Sequence, residues 1–179
     1  MITFQGAAYL KAQMDSILGQ SLPVHEIIVC DDGSTDGTRE ILADYAAAHP
    51  QIKLQFNTEN LGTVANMQQC LRLSTGDIVF LADQDDVWLP NKVEKTLAFF
   101  EQHPTAEAVF SNAEIIDEVG ETQFGMTLWD IIGFPFGKVE LTDFETRVDN
   151  VVTGAGLAMK HDAKLLATDI PVLPGLLRD

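Results

Sequence analysis

Glu26-Ile27-Ile28-Val29-Cys30 runs directly into Asp31-Asp32-Gly33-Ser34-Thr35-Asp36-Gly37. The apolar, mostly β-branched run of 26–30 has the pattern of a short strand buried on both faces. The residues after it are acidic and rich in turn formers, so the strand must end in a polar loop. Residues 38–49 then place Ile41, Leu42, Tyr45 and Ala46 on one helical face. The same alternation extends outward on both sides. Residues 7–19 put Leu10, Met14, Ile17 and Leu18 at helical spacing, and Pro23 breaks the pattern. Residues 51–56 alternate Ile52, Leu54 and Phe56, the period of a half-buried strand. Leu61, Val64, Met67 and Leu71 predict a helix over 61–74, closed by Gly76. Ile78-Val79-Phe80-Leu81-Ala82 reads as the most clearly buried strand of the chain. Pro90 opens a helix carrying Val93, Leu97 and Phe100, and Ala108-Val109-Phe110 is another short strand. Residues 112–150 are less regular. Val151 to Met159, interrupted by Gly154 and Gly156, returns to strand. Strands separated by helices of this length predict one α/β domain over 1–179, a mostly parallel sheet flanked by helices.

Composition bounds the functions. The chain has 179 residues, 46% hydrophobic and 21% charged, a globular balance that excludes disordered and fibrous classes. Asp and Glu number 27 against 11 Lys and Arg, a formal net charge of −16. Such a surface repels nucleic-acid backbones and anionic lipid, so no nucleic-acid partner is expected. An anionic substrate would need a cation to reverse the local sign. No apolar run has the length of a membrane span, and the first residues lack a basic start followed by an apolar stretch. Cys30 and Cys70 fit neither a disulfide framework nor a zinc spacing and read as inert. His25, His49, His103 and His161 have no ligand spacing. A cytoplasmic setting is expected, with attachment at the inner face of the membrane open.

Two acidic clusters follow strands: Asp31-Asp32 with Asp36, and Asp83-Gln84-Asp85-Asp86. In open α/β sheets ligands bind beyond the carboxyl ends of the strands, so both clusters should face one crevice. Crowded carboxylates repel unless a positive charge sits among them. An Asp-x-Asp pair offers hard oxygens to Mg²⁺ or Mn²⁺, which are commonly held by one or two carboxylates plus substrate phosphates. No Gly-x-x-x-x-Gly-Lys-Ser/Thr loop is present. Simpler readings stand beside these. Asp-Gly-Ser-Thr-Asp-Gly is turn and capping chemistry in itself, and 83–86 could be a solvated loop before a helix. Asp32-x-Ser34-x-Asp36-Gly37 resembles the start of a calcium loop, but the twelfth position is Ala43 rather than Glu.

At these residues the chain resembles the family 2 glycosyltransferases, whose catalytic domain has the GT-A fold. Thr3-Phe4-Gln5-Gly6-Ala7-Ala8-Tyr9-Leu10 is similar to the family's opening Thr-Tyr-Asn-Gly-x-x-Tyr-Leu. Asp15-Ser16-Ile17-Leu18-Gly19-Gln20-Ser21, the 26–38 segment and Asn60-Leu61-Gly62 match in the same order. Ala82-Asp83-Gln84-Asp85-Asp86-Val87-Trp88 is similar to the metal-binding segment, in a form common among rhamnosyltransferase-like members.

The resemblance implies roles. Asp32 would contact the nucleotide base, with Asp31 supporting the pocket and Thr3 and Phe4 lining it. Asp83 would lie at the donor, and Asp83 and Asp85 would hold Mg²⁺ or Mn²⁺, Asp85 the more directly. Gly154, Ala155 and Gly156 would lie beside the acceptor, or else form a strand bulge. Asp179, after Arg178, is the candidate catalytic base, with Glu114, Asp117 and Asp162 as alternatives. The implied reaction moves a sugar, with inversion, from a dTDP- or UDP-sugar to a hydroxyl of a saccharide or lipid-linked saccharide. Cell-surface polysaccharide synthesis is the implied setting. Two departures are visible: Gln5 replaces Asn, and only Met1 and Ile2 precede Thr3, where the family has a longer apolar strand. At the other end the chain stops where the family continues into its acceptor half, so the resemblance implies truncation at both ends, with an exposed sheet edge that a second copy could complete. A nucleotide-sugar-binding module without turnover and a Mg²⁺-binding receiver-like signalling domain, using Asp83 and Lys160, are the alternatives. Trp129, Phe134 and Phe136 form either a satellite apolar cluster or an acceptor or membrane-proximal loop.

Overall fold

A computed structural model describes residues 1–132 and 156–162. The chain opens with β1 (Ile2–Thr3), α1 (Leu10–Leu18), β2 (Ile27–Asp31), α2 (Thr38–Ala48), β3 (Ile52–Phe56) and α3 (Thr63–Leu73). Then come β4 (Ile78–Phe80), α4 (Lys92–Gln102), β5 (Ala108–Phe110), β6 (Glu114–Ile116), β7 (Thr122–Thr127), α5 (Leu128–Ile132) and β8 (Leu157–Lys160).

β2 is the centre of a parallel sheet ordered β1-β2-β3. All five of its residues are buried. Successive side chains of a strand leave opposite faces, and here each face finds its own cover. Ile27 and Val29 pack with Leu10, Met14 and Ile17 of α1 and Leu42 of α2. Ile28 and Cys30 pack with Cys70 of α3. Ile27 to Asp31 pair in register with Ile52 to Phe56 of β3. β1 adds only Ile2 opposite Cys30 and Thr3 opposite Asp31. That short pairing suffices to bring residues 3–7 to the acidic end of β2.

The second sheet departs from the expected parallel order. β4 and β5 each pair antiparallel with β8, giving β4-β8-β5. β4 is three half-buried residues rather than five buried ones. The partial exposure reflects a cleft of about 770 Å³ beside β4 and the start of β2, lined in part by Ile27, Ile28, Ile78 and Phe80. Residues 112–132, expected to be irregular, hold the β6–β7 hairpin and α5. Asp117 builds the hairpin turn, its carboxylate accepting the N–H groups of Val119 and Glu121 and the amide of Gln123. The returning strand spans 157–160, and residues 151–155 of that expectation lie outside the described residues.

Candidate functional site

β2 ends by delivering two adjacent carboxylates at the carboxyl end of the sheet. Asp31 is fully buried and Asp32 is 4% exposed. Asp31 accepts four bonds: Oδ1 from the Ser34 N–H (3.1 Å) and Arg39 Nε (2.6 Å), Oδ2 from the hydroxyls of Thr3 (3.0 Å) and Ser34. Burial pushes this carboxyl up, but the Ser34 hydroxyl, the Arg39 guanidinium and the other donors outweigh it and hold it below its ordinary value. Arg39 sits in the first turn of α2, spans to the carbonyl of Asn57 and lies 5.2 Å over the Phe56 ring.

Asp32 points to the opposite set of partners. Oδ1 accepts from the Asn57 side chain (2.9 Å) and the Leu61 N–H (2.8 Å), and Oδ2 from the Gly62 N–H (2.9 Å). Asn57 also donates to Asn66, and Asn66 to the Cys30 carbonyl. Buried amides thus tie the ends of β2 and β3 to α3. A carboxylate takes about four hydrogen bonds. Asp31 is therefore saturated by the protein, whereas Oδ2 of Asp32 retains capacity for one more donor.

The segment after β1 is held by side chains at every N–H. Phe4 N–H donates to Gln84 Oε1, Gln5 to Ser34, Gly6 to Thr38 and Ala7 to Asp36. Gln5 is in the left-handed region (φ 51°), a conformation that Asn adopts more readily than Gln. Its own side chain grips Thr35 in both directions. Asp36 also accepts from the Thr38 N–H and hydroxyl at the start of α2. The Phe4 ring remains 47% exposed.

The second acidic loop follows β4. α1 anchors the far side of this loop: Trp88 N–H donates to Ser16, while Gln20 donates to the Leu89 carbonyl and accepts from Val93 N–H. Within the loop Asp85 is exposed, and Asp83 and Asp86 are half-buried. Burial, with the negative charges of Asp83 and Asp85, pushes the Asp86 carboxyl up to about 6, against the pull of Lys92. Its Oδ2 is buried and has no partner among the described residues. Three carboxylates, opposed by the charge of Lys92, offer hard oxygens that fit a divalent cation shared with substrate phosphates. No group of three or more His, Cys, Asp or Glu among the described residues is placed to hold a metal by itself.

The structure brings Thr3, Phe4, Asp31 and Asp32 together, and the Phe4–Gln84 contact places the Asp83–Asp86 loop beside them. Gly156 lies apart from these contacts, its carbonyl bonded to Ser111 N–H just before β8. Gly154, Ala155 and Asp179 lie outside the described residues. Among the alternative bases, Asp117 is consumed by its turn, Glu114 sits on β6, and Asp162 follows β8. Lys160, required by the receiver reading, instead donates to the Pro104 carbonyl and Glu107. Trp129 packs edge-on to Phe110 at 5.8 Å, and Phe134 and Phe136 lie outside the described residues. Arg39, Asn57, Asn66 and the bridging role of Gln84 escaped sequence reading. An Arg two residues after the acidic turn was the available signal for the first. The amides carried none.

A Bacillus subtilis (strain 168) protein named as a glycosyltransferase, EpsE, is 40% identical over 112 residues, 62% of this chain and 40% of its own. TuaG of the same organism, named for teichuronic acid biosynthesis, is 35% identical over 104 residues, 58% of this chain and 41% of its own. The chain thus spans about two-fifths of the length of these relatives. The solved mannosyltransferase PcManGT of Pyrobaculum calidifontis, in complex with GDP-Man and Mn²⁺, has the same fold at a TM-score of 0.65 and 24% identity. That match covers 94% of this chain and 46% of the mannosyltransferase. The receiver-like alternative is set aside by the family comparison: residues 1–165 match the model of "Glycosyl transferase family 2", and the chain belongs to that family.

Proposed function

We propose that residues 1–179 form a single catalytic domain, or the donor-binding part of one. It would transfer a sugar, with inversion, from a nucleoside diphosphate to a hydroxyl of a saccharide or lipid-linked saccharide in cell-surface polysaccharide synthesis. The observation that carries this reading is the bridging of two acidic loops by Phe4–Ala7 at the ends of β2 and β4, in a chain of this family. Oδ2 of Asp32 accepts a base N–H, and the exposed Phe4 ring offers the base an apolar face. Asp31, saturated by its own donors, keeps Thr3, Ser34 and Arg39 in place around it. Asp85, with Asp83, holds Mg²⁺ or Mn²⁺. That ion, when bound, supplies charge neutralisation to the departing diphosphate. A carboxylate takes the proton of the acceptor hydroxyl, and Asp179 is the candidate. Gly154, Ala155 and Gly156 would serve the acceptor side.

A dTDP- or UDP-linked sugar is the proposed donor, with a deoxysugar such as rhamnose favoured by Gln84 and Trp88. The setting is cytoplasmic or at the inner membrane face. No helix among the described residues is long and apolar enough to cross a membrane. Pairing of two copies along the cleft between β2 and β4 is part of the proposal, and light scattering would reveal it. The test of function is release of nucleoside diphosphate from dTDP-rhamnose, UDP-glucose and GDP-mannose with Mn²⁺ and saccharide acceptors. Transfer that Asp85→Ala abolishes supports the reading. Metal-dependent binding without release in any combination would favour a binding module instead.

A further inference from the structure

Gln84 separates the two acids of the Asp-x-Asp pair, and its side chain does not face solvent as a spacer would. Its amide Oε1 accepts the Phe4 N–H at 2.9 Å and its Nε2 donates to the Phe4 carbonyl at 3.0 Å. Both polar ends of one side chain therefore pair with both backbone groups of one residue, across 80 positions of sequence. Only an amide of this length does so. Asn is one methylene shorter, and Glu has no donor for the carbonyl. The fit also consumes the space over Gly6, where a Cβ would stand 2.1 Å from Gln84 Oε1. Gly6 needs no left-handed backbone, so its lack of a side chain serves the contact and not a turn. Phe4 is one residue beyond Thr3, which bonds Asp31, and Gln5 to Ala7 are held by Ser34, Thr38 and Asp36.

We infer that Gln84 is a positioning residue that locks the Asp83–Asp86 loop to the Asp31–Asp36 loop through the backbone of Phe4, and that Gly6 is glycine to admit it. The inference rests on the donor-site reading above. It deepens that reading, because the lock sets the distance between the group that holds the base and the groups that hold the metal and diphosphate.

Gly6→Ala gives an unusual test, because it removes the lock without substituting a residue of either acidic loop. Its methyl meets the far end of a flexible side chain, so Gln84 swings out and the fold survives. The experiment is calorimetric titration of wild type, Gln84→Met, Gly6→Ala and the double variant. Each takes UDP, dTDP and GDP with and without Mn²⁺, and the matching monophosphates as a control for the base pocket. The quantity read is the gain in diphosphate affinity that Mn²⁺ confers. Loss of two partly exposed hydrogen bonds should lower that gain about fivefold to tenfold in Gln84→Met and in Gly6→Ala. Monophosphate affinity should hold, and Gly6→Ala should add nothing in the Gln84→Met background. A wild-type gain in both single variants overturns the inference. So does an equal loss for monophosphates, which would make Gln84 merely structural, or an additive effect in the double variant. If wild type binds no diphosphate with Mn²⁺, the donor-site reading falls and takes the lock's role with it. If wild type binds and the variants match it, the lock falls alone.

Discussion

Asp31 and Asp32 are neighbours in sequence with different remaining capacities. Four donors saturate Asp31, three hold Asp32, and the difference leaves one lone pair at the edge of the site. Arg39 is the only cation among the donors to Asp31. Arg39→Met should therefore leave a fully buried carboxylate without its counter-charge. Because the other donors remain and Arg39 is a third exposed, the expected loss is about 2 kcal/mol in urea unfolding. An unchanged midpoint would mean that the hydroxyls and N–H groups hold Asp31 unaided. The position of these acids was legible in the sequence, because Ile27 to Cys30 could only be a strand and Asp31 had to lie at its end. Their partners were not legible. Asn57 and Asn66 are polar residues whose burial follows from hydrogen bonds across the sheet, and no periodicity announces such bonds.

At the scale of elements, Glu26 works as a staple at the other end of β2. It accepts from the N–H and hydroxyl of Thr75 and the N–H of Gly76, and pairs with Lys53 at 2.9 Å. Burial pushes its carboxyl up, but the Thr75 N–H and the Lys53 charge outweigh burial and bring it down to about 2. A depressed folded value means that the contribution to stability is present above the ordinary value of 4.5 and is lost as pH falls through about 2. Glu26→Gln should cost about 1 kcal/mol at neutral pH, a figure discounted for solvent screening. The gap between mutant and wild type should close on acid titration. A gap that persists at low pH would show that shape, not charge, matters there. The residue just beyond α1 gives a second case. Gln20 bridges the Leu89 carbonyl and the Val93 N–H, and Lys92 N–H also reaches that carbonyl, so Gln20→Ala should cost about 1–2 kcal/mol in thermal or urea unfolding, chiefly by leaving the Val93 N–H unpaired. No measurable loss would mean that water replaces the amide.

Elements with continuous local signals were readable. The helices at 38–48 and 63–73 and the strand at 108–110 lie within two residues of their sequence patterns. β4 was over-read by two residues: Leu81 N–H still bonds the Leu157 carbonyl of β8, but the register ends at Phe80, and Ala82 is apolar because it packs in the core. The antiparallel return of β8 between β4 and β5 was not readable, since such pairing is decided by contacts far apart in sequence.

For the whole molecule, the net charge of −16 sets the terms. Self-repulsion should make the fold more stable as monovalent salt rises to about 0.15 M, where the Debye length is near 8 Å. A flat or falling melting temperature would show that the charges are already paired. A divalent cation at Asp83–Asp86 should act beyond this screening, and only together with a ligand that shares it. The most direct measurement is thermal unfolding at matched ionic strength with UDP, dTDP or GDP, each with and without Mn²⁺. A ligand at one hundred times its dissociation constant adds about 2.7 kcal/mol, or about 5–10 °C for a chain of this size. The expected result is a rise that requires one diphosphate and Mn²⁺ together and that Asp85→Ala removes. A melting temperature indifferent to every pair, or raised equally by Mn²⁺ alone, would contradict it.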